Sequence, residues 1–277
     1  MRRHELSDAE WEFVRPLLPA SLRGRKRLDD RRVLNNGIVW KFRTGTAWRD
    51  VPERYGSWAT LHTRFRRWAK DGTFERMLRA AQAKADAAGD IDWLVSVDST
   101  VVRAHQHAAG ARKGGLCPPA LGRSRGGLTS KIHLACDALG RPLAFTLTGG
   151  NTNDCTQFTA VMEAIRVPRL GPGRPRVRPA HVLGDKGYSS RAIRTWLRHR
   201  GIPHTIPERA DQVRNRLRLG SRGGRPPAFD KQVYKRRNVV ERCFNRLKQW
   251  RGIATRYDKT AESYQAAVTL ASLLMWA

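Results

Sequence analysis

Residues 93–100 read WLVSVDST, a short apolar run that closes on Asp98, and residues 180–188 read AHVLGDKGY, a second such run that closes on Asp185. Near-continuous runs of Val and Leu are the pattern of strands in a sheet covered on both faces. Between them, residues 130–150 (SKIHLACDALGRPLAFTLTGG) predict a β-hairpin turning at Asp137 to Gly140. Residues 153–166 (NDCTQFTAVMEAIR) predict a helix beginning near Asn153 or Asp154. SSRAIRTWLRHRG (189–201) reads as a further helix, IPHTIP (202–207) as a short strand, and the apolar segment 261–276 as a C-terminal helix that covers the sheet. Strands alternating with helices predict an α/β domain over residues 91–277.

Upstream, residues 1–88 read as all-helical. Ser7 opens LSDAEWEFVRPLLP with Glu10 three residues later, a capping-box pattern; Pro16 complicates that helix and Pro19 ends it. A second helix is expected from about Asp29 to Arg43, with Val33, Leu34, Gly37, Ile38, Trp40 and Lys41 mixing core and surface positions. A Gly-bracketed loop (45–56) precedes SWATLHTRFRRWAKDG, which carries Leu61, Phe65 and Trp68 on one side and Arg64, Arg66, Arg67 and Lys70 on the others. A last helix over 73–88 leads to a hinge at Gly89 and Asp90. Short helices with a basic third member suit a helix-turn-helix-like DNA-binding domain, with Arg64, Arg66 and Arg67 toward DNA; a plain bundle with solvated arginines fits the same pattern. Two basic, Gly-, Arg- and Pro-rich stretches, near 105–129 and 209–228, read as insertions, the first as mobile.

Charge narrows the partner. The 277 residues hold 53 Lys+Arg against 24 Asp+Glu, a formal net charge of +29 spread along the chain. Such a field attracts polyanions, nucleic acid first. An anionic membrane is the rival, but there is no basic amphipathic anchor and no apolar run of about 18 residues; a GC-rich coding bias would also raise Arg. Four scattered cysteines, without a CxxC pair, argue against a zinc ribbon or disulfide scaffold and suit a reducing cytoplasm. His133 with Cys136, and His105 with His107, lack the second half of a zinc site.

The chemistry is carried by YKRRNVVERCFNRLK (234–248). Tyr234, Arg237, Glu241 and Lys248 recur at helical steps, so that one carboxylate lies in a stripe of cations. A solvated basic helix with a stabilising Glu reads the same way. With Asp98 and Asp185 closing two strands, however, three carboxylates have reason to meet where α/β folds collect their ligands. Carboxylates so placed repel unless cations stand between them, and hard divalent ions are the natural partners.

This stretch matches the Y-(2)-R-(3)-E-(6)-K signature of bacterial insertion-sequence transposases, and VDSTVVRAHQHAAG, TGGNTND and LGDKGYSS occur in the order of that family's blocks. The chain resembles DDE transposases of the insertion sequence 5 family along nearly its whole length, including WRDVPERYGSWATLHTRFRRW in the helical region. The resemblance implies a ribonuclease-H-like mixed sheet flanked by helices, preceded by the small all-α domain. It implies Asp98, Asp185 and Glu241 as a catalytic, metal-binding triad for Mg²⁺ or Mn²⁺, two ions in number. It assigns Tyr234, Arg237 and Lys248 to DNA, adds His105 and His107 beyond the first aspartate, and leaves Asn153 and Asp154 as second-tier positions. The implied reaction is cleavage at element ends followed by strand transfer, on terminal inverted repeats and target DNA, by a homodimer or higher oligomer in the bacterial cytoplasm at the nucleoid. A nuclease of the same fold and an inactive DNA-binding derivative are the rival functions.

Overall fold

The computed structural model describes residues 4–19, 33–109 and 120–277. The start of the helix expected from Asp29, and residues 110–119 of the first expected insertion, lie outside them.

The N-terminal elements are α1 (Asp8–Val14), α2 (Val39–Thr44), α3 (Trp58–Lys70) and α4 (Thr73–Ala87). Ser7 and Glu10 form the expected reciprocal cap, with Glu10 N–H donating to Ser7 Oγ at 3.0 Å and Ser7 N–H to Glu10 Oε2 at 2.8 Å. Pro16 does not kink α1; it sits in a 3₁₀ turn, Arg15–Leu17, where its missing N–H costs little. A π-helical turn (Val33–Ile38) precedes α2. Lys41, expected on a mixed face, is only 2% exposed, its ammonium 4.0 Å from the Phe42 ring centre and 5.3 Å from that of Trp48.

The second half holds β1 (Leu94–Ala104), β2 (Gly122–Ser124), β3 (Gly127–Cys136), β4 (Pro142–Gly149), α5 (Asp154–Ala164), β5 (His181–Gly184), α6 (Arg191–His199), β6 (His204–Thr205), α7 (Ala210–Arg218), α8 (Lys231–Lys235), α9 (Val239–Lys248), β7 (Thr255–Arg256) and α10 (Ala261–Leu274). The sheet runs β4–β3–β1–β5–β6. Strand β3 is antiparallel to β1 and β4, while β5 and β6 run parallel to β1. This is the ribonuclease-H-like arrangement, a mixed sheet with helices on both faces. Helix α10 packs against α3 and α4 as well as the sheet, so one apolar core runs from Leu6 to Trp276.

Four expectations need correction. Asp98 does not end its strand: β1 continues to Ala104, because β3 pairs with it from Ser96 to Arg103. The described parts of 105–129, expected as a mobile insertion, hold a helical turn (Gln106–Ala109), β2 and the start of β3. Likewise 209–228 contains α7. The segment 234–248 is not one regular helix either, since a 3₁₀ turn, Arg236–Asn238, separates α8 from α9.

Candidate active site

Parallel pairing between β1 and β5 stops at Val97 and Gly184. The next residues are Asp98 and Asp185, which therefore stand side by side just past the end of the paired parallel strands, although β1 itself runs on. Alternation along β1 puts Ser96 and Asp98 on one face, shared with Cys136 of β3. Helix α9 covers that face, with Cys243 against Cys136, and its buried Val240, Cys243, Phe244 and Leu247 leave Glu241 about half exposed.

Arg237 joins the carboxylates. Its Nη2 donates a short hydrogen bond to Asp98 Oδ2 and lies 3.3 Å from Glu241 Oε1. The step Arg237–Glu241 keeps its helical contact across the 3₁₀ junction. Burial pushes the Asp98 carboxyl up to about 6; Arg237 opposes that rise, and the charges of Asp185 and Glu241 add to it. Asp98 thus senses the charges of both other carboxylates, with a guanidinium between it and Glu241. Among the described residues no group of three His, Cys, Asp or Glu side chains is gathered closely enough to hold an ion. Asp185 is oriented locally, accepting the Gly187 N–H at 2.8 Å.

The remaining expected residues are scattered around this point. Lys248 Nζ donates to Val101 O at 3.2 Å, three residues past Asp98 on β1. Tyr234 packs against Phe229, ring centres 5.2 Å apart and tilted, and burial raises the pKa of its hydroxyl, with Arg237 opposing and Asp185 and Asp98 adding to the rise. His105 and His107 lie beyond β1 with ring centres 4.5 Å apart, His105 also 4.9 Å from Tyr257. Arg66 and Arg67 are exposed on α3, and Arg64 lies over Trp68; these arginines are not brought to the carboxylates.

Asn153, not Asp154, caps α5: its Oδ1 accepts the Cys155 N–H at 3.0 Å. Asp154 turns instead to β3, where Lys131 Nζ lies 3.0 Å from its Oδ1 and also donates to Thr152 O. His133, on the same face of β3 as Lys131, contacts Thr148 Oγ1 at 2.8 Å. Tyr188 is buried next to this group, its hydroxyl pushed up by burial and then by Asp98, Asp154 and Asp185. Reasoning from sequence left Lys131 and Tyr188 without roles and weighed His133 only in a pair with Cys136; the available signal was a Lys and a His two apart in an otherwise apolar strand. Gly150 in TGGNTND is required by close packing, since a Cβ there would lie 1.9 Å from Thr129 Oγ1.

His133 supplies a test. Burial, with help from Lys131 and against Asp154, lowers its pKa from 6.5 to about 4. The unfolded chain therefore takes up a proton as pH falls through 6.5, while the folded chain stays neutral until about 4. Stability from this group is present above pH 6.5 and lost across that window, by about 3 kcal/mol in all. Thermal melts between pH 7 and 4.5 should show this decline, and His133→Gln should flatten it; equal slopes in both proteins would refute the assignment.

Known families match both halves of the chain. One described as a putative transposase of the IS4/5 family covers residues 6–78, and one described as a transposase DDE domain covers residues 90–276. The uncharacterized protein y4sN of Sinorhizobium fredii is 41% identical over 119 residues, 42% of this chain and 90% of that one. A putative transposase for insertion sequence element IS402 of Burkholderia cepacia is 37% identical over 146 residues, 53% of this chain and 62% of that one. The corresponding protein for IS6501 of Brucella ovis is 28% identical over 149 residues, 54% of this chain and 98% of that one. Likeness to solved structures is slight: the catalytic domain of Mos1 mariner transposase aligns over 73% of this chain and 88% of its own, with a TM-score of 0.27 and 11% identity. Among the described residues no helix is long and apolar enough to cross a membrane.

Proposed function

We propose how this chain, which belongs to the transposase DDE domain family and is a DNA transposase, performs its chemistry: Asp98, Asp185 and Glu241 form the catalytic centre. What supports this reading is that Asp98 of β1 and Glu241 of α9 share Arg237, while Asp185 follows the last paired residue of β5 and its charge acts on Asp98. Oxygen donors that raise one another's charge cost suit a hard divalent ion, Mg²⁺ or Mn²⁺, and the cationic guanidinium between Asp98 and Glu241 marks where positive charge is favoured. The donor set therefore fits the family's metal, with Asp98, Asp185 and Glu241 as the residues that would hold it. Such ions, when bound, activate the attacking oxygen and stabilise the leaving one in an in-line displacement.

The protein's own groups position the DNA. Lys248, held at the β1 backbone, offers its ammonium to the strand beside Asp98. Tyr234 and Arg237 flank the carboxylates from the other side, and His105 and His107 extend the contact beyond β1. Arg64, Arg66 and Arg67 on α3 engage element-end DNA at a distance from the chemistry. Water first frees a 3′ hydroxyl at each element end, and that hydroxyl then attacks target DNA. Both steps are displacements at phosphorus, so one centre serves both, and pairing two ends calls for at least a dimer. The nucleoid is the natural place for this reaction.

The test is to incubate purified protein with labelled element-end DNA, target plasmid and Mg²⁺. Joined products are expected. Nicking without joining would make the protein a nuclease, and binding without cleavage would make it a DNA-binding derivative. Affinity should also fall about 10³-fold or more between 50 and 200 mM salt, as counterions are released from six or more phosphates. A flat salt response would remove DNA as the main partner.

A further inference from the structure

A second cluster of cations lies away from the carboxylates. Helix α6 leaves the Asp185 loop carrying Arg194 and Arg198 one turn apart, so both project from one face despite their like charge. The segment carrying Arg225 faces them across a cleft of about 760 Å³, with His181 and His204 also lining it. Arg194 is anchored through Nη2, which donates to Ser189 Oγ at 3.0 Å and Ile206 O at 2.8 Å, while its Nη1 is buried without a partner. Among the described residues Arg198 donates only to Arg194 O and Thr195 Oγ1. None of these three arginines has a carboxylate within ion-pair distance among the described residues. Their neighbours are paired: Arg200 with Glu163, Arg216 with Glu208 and Arg236 with Asp92. The one acid lining the cleft, Asp230, is committed to α8, accepting the Gln232 and Val233 N–H groups at 2.8 and 3.0 Å.

Glu208 acts on Arg194 from a distance, but an arginine cluster whose members have no direct ion pair is stabilised by an anion that reaches several of them at once. Ser189, which Arg194 grips, is four residues past Asp185, and Arg198 lies about 12 Å further along α6 from its cap. That is three to four steps of duplex at about 3.4 Å each. We propose that this cleft is a second DNA-backbone site, in which Arg194, Arg198 and Arg225 hold phosphates of the duplex a few base pairs from the scissile step. It rests on the reading of the chain as a DNA-joining enzyme. The phosphates belong either to the interior of the element or to the DNA flanking it.

Fluorescence anisotropy on three duplexes tests this: the element end alone, the end extended inward, and the end extended outward. The full-length variant Arg198→Glu/Arg225→Glu leaves the structural Arg194 in place. It should bind one of the extended duplexes at least ~10-fold more weakly than wild type at 0.1 M salt, with a salt slope smaller by about 2. The arm that loses affinity identifies the source of the phosphates. Arg198→Gln/Arg225→Gln, which removes charge and adds none, should give a smaller loss in the same arm and guards against misfolding of the charge reversal. Equal affinities and slopes for wild type and both variants on all three duplexes would overturn the site while leaving the catalytic reading intact. A wild-type protein that binds none of the three would overturn both.

Discussion

Asp98→Asn protein is expected to bind element-end DNA at least as tightly as wild type and to form joined product more slowly by ~10³-fold or more, the scale of loss when a group acting in the transition state is removed. The amide keeps the shape of the side chain and removes one of three charges that act on one another. DNA affinity does not suffer, because a carboxylate near a phosphate repels it. Folding does not suffer either. Burial holds the Asp98 carboxyl above its ordinary range, so at neutral pH its ionised form costs more in the folded chain than in the unfolded one. The neutral variant is free of that cost and should melt no lower than wild type. Glu241→Gln tests the same centre from the helix side, where the residue is half exposed and its loss perturbs packing least. Strand transfer by either variant at more than about a tenth of the wild-type rate would remove these carboxylates from the chemistry.

Arg256→Ala is expected to lower stability by about 3–5 kcal/mol, since it strips partners from several buried acceptors at once. Arg256 is fully buried. Its Nη1 donates to Ala120 O at 2.9 Å and Ser130 Oγ at 2.7 Å, and its Nε to Asp258 O at 3.0 Å. Its guanidinium also lies 5.3 Å from the ring centre of Tyr264, which is itself anchored by a bond from its hydroxyl to Ile253 O. One side chain thus ties Ala120, two residues before β2, strand β3 and the approach to α10 together. For a chain of this size the loss corresponds to a fall in melting temperature of roughly 10 °C. Arg256→Lys, which can reach fewer of these acceptors, should fall between. A melting temperature within about 2 °C of wild type for Arg256→Ala would show that water replaces the guanidinium without cost.

Much of this fold was legible in order along the chain. The apolar runs before Asp98 and Asp185, the hairpin turning at Asp137 to Gly140, the Ser7 capping box and the buried Leu61, Phe65 and Trp68 of α3 follow from local periodicity and capping chemistry. What was misjudged depends on partners distant in sequence. Strand β1 outruns its apolar stretch because β3 pairs along it, and no local pattern reports that. Arg256 and Lys41 are charged residues in the core, held there by carbonyls and aromatic rings from other segments.

By itself, the sequence determined which residues could do chemistry: Asp98, Asp185, Glu241 and the cations around the last of these, each placed by strand or helix periods that a short stretch contains. Tertiary structure alone decided how they meet. Only the parallel register shows that pairing between β1 and β5 stops at Val97 and Gly184, leaving two aspartates side by side. Only helix packing puts Arg237 between Asp98 and Glu241, turns Asp154 to Lys131 rather than to its own helix, and sets Arg225 across a cleft from Arg194 and Arg198. The physical reason is that local conformation is governed by neighbours in the chain, whereas charge convergence is governed by neighbours in space.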